Sequence, residues 1–120
     1  MPSSREIHRS LDTIQRYVMI KYPEHEFIDK FDINGNVCGH VAWFLRKIYP
    51  EAEIWDIYSN PMGYAHTVCR IDGKFYDIVD KDGVADWHDL TYLDERSSPV
   101  YGRFHIQKRP LPIMSMYPPH

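Results

Sequence analysis

The chain reads as an α+β protein in which N-terminal helices pack on an antiparallel β-sheet. Three observations carry this. Two stretches show helical apolar spacing, both before residue 50. The strand-like runs all follow them. Two of those runs flank Asp72-Gly73, a pair that favours the tight hairpin turn with positive φ at both central positions.

The first helix starts near Ser3, which has capping-box spacing to Glu6. Ile7, Leu11, Ile14 and Val18 then form one apolar face, and Tyr22-Pro23 ends the run. Residues 23–36 read as a connection, apolar at Phe27, Ile28, Phe31 and Ile33 and closed by the turn Asn34-Gly35-Asn36. A second helix is expected from about Val37 to Ile48, with Val41, Leu45 and Ile48 inward and Cys38, Ala42 and Tyr49 beside them. Strands are expected over Glu53–Tyr58, Tyr64–Ile71, Lys74–Val79 and Val100–Gln107. Val84 to Leu93 is expected to hold a short helix capped by Asp86. The chain is expected to be one domain, 1–120, with a proline-rich extended tail over about 109–120.

Bulk properties narrow the function classes. A chain of 120 residues can bury a core without a staple. Its net charge of −3, with scattered Lys and Arg, argues against a nucleic-acid partner. No apolar run approaches membrane-spanning length, so no membrane partner is expected. No secretory signal is seen, and two cysteines make no disulfide framework. A cytoplasmic protein with reduced thiols is the expectation.

The chemistry concentrates between residues 33 and 79. With a two-residue turn at Asp72-Gly73, Ile71 faces Lys74, Val68 faces Asp77 and His66 faces Val79. Side chains alternate along a strand, so His66 and Asp77 become diagonal neighbours on one face. There the carboxylate can hold one imidazole nitrogen and leave the other as a base. The same parity puts Cys69 on the opposite face, as a small buried hydrophobe. Cys38 follows a turn and opens the second helix. A helix N-terminus and a nearby imidazolium both favour thiolate there.

Gly35-Asn36-Val37-Cys38 at a helix start, an Ala-His-Thr-Val strand and an Ile-Asp-Gly-Lys-Phe-Tyr-Asp strand resemble the papain-like and transglutaminase-like cysteine hydrolase superfamily over residues 34–80. The resemblance implies a papain-like/transglutaminase-like core. It implies Cys38 as nucleophile, His66 as general base and acid, and Asp77 as the residue that orients the imidazole. The implied reaction is acyl transfer from an amide, as a peptidase or amidase acting on a peptide or protein. Side-chain deamidation and transglutamination use the same residues, and a non-catalytic binding module with a buried Cys38 is the competing class. Papain-like enzymes carry a glutamine oxyanion donor before the cysteine. This chain has Asn34 and Asn36 there, Asn36 being nearer. Trp55 and Tyr64 fall near the rim of the implied cleft.

Two other ligand patterns occur in the sequence. Cys38-x-His40 and His66-x-x-Cys69 offer zinc-type side chains, but their spacing fits no common finger or ribbon. Asp80-x-Asp82-Gly83 suggests a calcium loop, but its glycine and last ligand fall out of register. No metal and no cofactor is expected.

Overall fold

A computed structural model describes residues 2–22, 33, 37–59, 63–95 and 104–110. It has the expected α+β arrangement. Helix α1 (Ser4–Lys21) and helix α2 (Cys38–Ile48) precede a four-stranded antiparallel sheet. The strands are β1 (Glu53–Ser59), β2 (Gly63–Ile71), β3 (Lys74–Tyr76) and β4 (Phe104–Lys108), in spatial order β3-β2-β1-β4. Between β3 and β4 lie a short 3₁₀ turn (Trp87–Asp89) and helix α3 (Thr91–Glu95). Among the described residues no helix is long and apolar enough to cross a membrane.

Local chemistry explains α1. Ser3 Oγ accepts from the Glu6 amide at 3.1 Å, and Ile7, Leu11, Ile14 and Val18 are all buried. Helix α2 buries Cys38, Gly39, Val41, Ala42 and Leu45. Ile48, expected on the inner stripe, is instead 48 % exposed. The stripe turns away at the last turn, just before the chain leaves for β1.

The sheet separates two apolar layers. On one face Ile54, Cys69, Ile71 and Tyr76 pack with α1 and α2. On the other, Ile57, Val68 and Phe75 meet Leu90, Tyr92 and Leu93, with Trp55, Val84 and Trp87 alongside. The expected hairpin is present, with Asp72 at φ +50° and Gly73 at φ +81°. Its register, Ile71 opposite Lys74 and Cys69 opposite Tyr76, is the expected one.

Three expected boundaries change. β3 ends at Tyr76, not Val79. The Asp77 carboxylate takes the amides of Val79 (3.0 Å) and Asp80 (2.7 Å), a local turn that competes with the ladder. Within Val84–Leu93 the expected short helix is the 3₁₀ turn, which Asp86 caps by accepting from the His88 amide at 3.0 Å, and α3 follows it and runs on to Glu95. The tail does not begin at Arg109. That residue is buried, its amide donates to Ile54 O at 2.8 Å, and its guanidinium grips Asp56 through Nε (2.8 Å) and Nη2 (2.5 Å). Residues 111–120, the rest of the expected tail, lie outside the described residues.

Candidate active site

His66 sits in β2 opposite Ile57. It is fully buried. Next to it the β1–β2 register shifts between Ile57 and Tyr58, a β-bulge of the kind that re-aims side chains. The bulge lies on the side of His66 away from the hairpin turn. Strand parity from His66 to Ile71 is therefore intact, and His66 shares the face of Val68 and Asp77.

Asp77 stands one residue beyond β3, where the chain turns off. Its Oδ2 meets His66 Nε2 at 2.9 Å, while Oδ1 holds the turn amides. Both oxygens are thus used, and the carboxylate is fixed before it orients anything else. Burial pushes its pKa up, but the His66 bond and charge together with the amides of Asp80 and Val79 outweigh this and hold it below the ordinary value of 3.8.

The other ring nitrogen, Nδ1, is buried and makes no hydrogen bond of regular geometry among the described residues. Cys38 is the second group whose polarity and charge favour the protonated ring. Burial alone would lower the imidazole pKa. Asp77 and Cys38 together reverse that and raise it from 6.5 to about 9. Cys38 opens α2, whose cap residue Val37 contributes no side-chain hydrogen bond. β3 pairs β2 only as far as Cys69, and beyond that point Asp77 meets the His66 ring.

Cys69 is placed as the parity argument requires. It lies on the helix side of the sheet and donates its thiol to Ala42 O at 3.1 Å. Burial pushes its pKa up to about 12. Both cysteines are free thiols. Among the described residues no group of three or more His, Cys, Asp or Glu could hold a metal ion. In the calcium-loop pattern, Asp80 is instead bound to Thr91 and Asp82 to His8.

The family match covers these same elements. A family model described as Phage YunG-like protein matches residues 13–114, and with them Cys38, His66 and Asp77. The chain belongs to the Phage YunG-like family. Neither the comparison with curated proteins nor that with solved structures gives a match.

The remaining expected site residues divide. Trp55 is half-buried in the second apolar layer, edge-on to Phe75 at 6.0 Å, with its Nε1 on Glu53 Oε1 at 3.1 Å. Tyr64 belongs to β2 by its backbone, and its side chain lies outside the described residues, as do Asn34 and Asn36.

One neighbour was not foreseen. Tyr92, in α3, stacks flat on His66 with ring centroids 4.1 Å apart and planes 7° from parallel. Nothing in the spacing around Tyr92 marks it, because the contact is made by packing between distant segments. Asp80 holds the start of α3, accepting from the Thr91 amide and from Thr91 Oγ1, each at 2.9 Å.

Proposed function

We propose that this protein is a thiol-dependent hydrolase that acts on an amide bond, with Cys38 as nucleophile, His66 as acid and base, and Asp77 as orienting residue. The observation that carries the reading is the position of one buried imidazole. His66 is bonded to Asp77 through Nε2 and acted on by Cys38.

The chemistry follows from that arrangement. With Nε2–H donated to Asp77, Nδ1 is the working nitrogen. It takes the Cys38 proton and gives a thiolate–imidazolium pair. The thiolate attacks the amide carbon. The carbonyl electrons move onto oxygen and are met by amides at the start of α2. As the C–N bond breaks, the imidazolium gives its proton to the leaving amine. A thioester remains. His66 then takes a proton from water, the resulting hydroxide attacks the thioester, and the acid departs as the thiol is regenerated. An amine in place of water gives transglutamination, and a glutamine side chain as the acyl donor gives deamidation.

Cys38 keeps 9 % exposure, whereas His66 keeps none. Access from the Cys38 side, with His66 behind it, is consistent with a peptide or protein substrate laid across the start of α2 and less so with a small molecule enclosed around the imidazole. The mechanism needs a reduced thiol, which favours a cytoplasmic setting. The burial of His66 favours one second reading, a binding module in which the same trio is structural.

Alkylation decides between them. Iodoacetamide is expected to label Cys38 near neutral pH faster than a free cysteine, with Cys69 protected, as followed by peptide mass spectrometry. Labelling no faster than a free thiol, with no change in any activity on Cys38→Ala, refutes the hydrolase and leaves the binding module.

A further inference from the structure

The residue that orients His66 and the residue that holds the covering helix belong to one short loop. Asp77 Oδ1 accepts from the Asp80 amide at 2.7 Å. The Asp80 carboxylate then takes both the amide and the hydroxyl of Thr91. Thr91 begins α3, and the next residue is Tyr92, whose ring lies on His66. The contacts close a ring of residues: Asp77, Asp80, Thr91, Tyr92, His66 and back to Asp77.

Helix α3, Thr91–Glu95, is a five-residue helix. An isolated helix of that length does not persist in water. Its place depends on the Asp80 clamp and on the burial of Leu90, Tyr92 and Leu93. The loop has its own anchors on α1. Lys81 Nζ meets Asp12 at 2.8 Å and also bonds Gln15, and Asp82 meets His8 at 2.6 Å. Asp80 is therefore held through its backbone while its carboxylate holds Thr91 of α3.

We propose that Asp80 is a positioning residue for the Cys38–His66 pair: by holding Thr91 it seats Tyr92 on the imidazole and fixes the ring plane in which Nδ1 meets Cys38. This rests on the hydrolase reading. A hydrogen bond at Nε2 alone leaves the imidazole able to rock about that bond. A flat aromatic ring against its face removes that freedom, and an aromatic face also favours the protonated ring. Among the described residues, the titratable groups that meet His66 are Asp77, Cys38 and Tyr92. Asp80 reaches the ring through Thr91 and Tyr92.

The test is the pH profile of Cys38 alkylation by iodoacetamide in the full chain, for Asp80→Ala, Thr91→Val and Tyr92→Leu, with Tyr92→Phe as the conservative variant. The first three are expected to slow alkylation at pH 7 about tenfold and to move the profile to higher pH, the size expected from losing one or two clamping hydrogen bonds. Tyr92→Phe keeps the stacked ring and is expected to stay within about twofold of the parent. If Asp80→Ala does not fold, Thr91→Val decides, since it removes only the hydroxyl and keeps the backbone contact. Folded Thr91→Val and Tyr92→Leu variants with the parent profile overturn the proposal. Failure of the hydrolase reading looks different: the parent's own Cys38 then reacts as a free thiol, and nitrogen-detected NMR of the His66 tautomer in the same variants still reports whether the ring has lost its fixed orientation.

Discussion

Tyr92 lies face to face on His66, 4.1 Å between ring centroids, while Asp77 holds the edge of the same imidazole at 2.9 Å. The ring is fixed in plane by a carboxylate and against its face by an aromatic. The two contacts come from segments on either side of the 3₁₀ turn, and Asp80 ties those segments together.

Asp77→Asn keeps the shape of the orienting side chain but removes its charge and allows the wrong tautomer at Nε2. Cys38 reactivity toward iodoacetamide at pH 7 is expected to fall by a factor on the order of 10² or more, as for other lost base-orienting carboxylates. A variant that labels at the parent rate would remove Asp77 from the proposed site.

Stability should depend on pH through the same pair. His66 has a folded pKa of about 9 against an ordinary 6.5, so its contribution is complete below about pH 6.5 and is lost as pH rises through about 9. Asp77 has a lowered folded pKa, so its contribution is present above the ordinary 3.8 and is lost as pH falls through the folded value. Urea midpoints measured across pH are expected to plateau between these limits. His66→Gln should flatten the alkaline fall, and an unchanged alkaline limb in that variant would contradict the assignment.

Two glycines separate backbone strain from crowding. Gly73 and Gly83 have φ of +81° and +80°. A Cβ at Gly73 meets nothing within 4 Å, whereas at Gly83 it would lie 2.7 Å from two carbons of the Tyr76 ring. Gly73→Ala is expected to cost about 1–2 kcal/mol from the left-handed conformation alone. Gly83→Ala adds overpacking of about 1–3 kcal/mol. Denaturant unfolding of the two variants should rank them in that order, and equal losses would show that Tyr76 moves aside freely.

The buried Asp56–Arg109 pair gives a stability test that involves neither Cys38 nor Asp77. Asp56 also accepts from Thr67 Oγ1 at 2.8 Å, so its carboxylate serves two partners. Arg109→Met leaves that carboxylate buried without its cation and is expected to cost about 3–5 kcal/mol. Combining it with Asp56→Leu should recover part of the loss, measured as a coupling energy in a double-mutant cycle. Strict additivity of the two would show that the pair is not coupled.

Much of this fold was legible because local rules decide it. The Ser3 cap, the apolar face of α1 and the Asp72-Gly73 turn are set by neighbours in the chain. Hairpin parity is also local, and it was enough to bring His66 and Asp77 to one face and to exclude Cys69. The early end of β3 was missed because the Asp77 carboxylate captured two amides that a strand would have used elsewhere.

The sequence by itself determined the order of elements and the hairpin register, since each rests on spacing within a few residues, and that register brought His66 and Asp77 to one face although β3 ends before Asp77. Tertiary structure alone decided that Cys38 acts on His66, that Tyr92 covers it, and that Arg109 is buried on Asp56. Each of those contacts joins segments far apart in the chain, and only the packing of helices, sheet and loops against one another fixes which distant side chains meet.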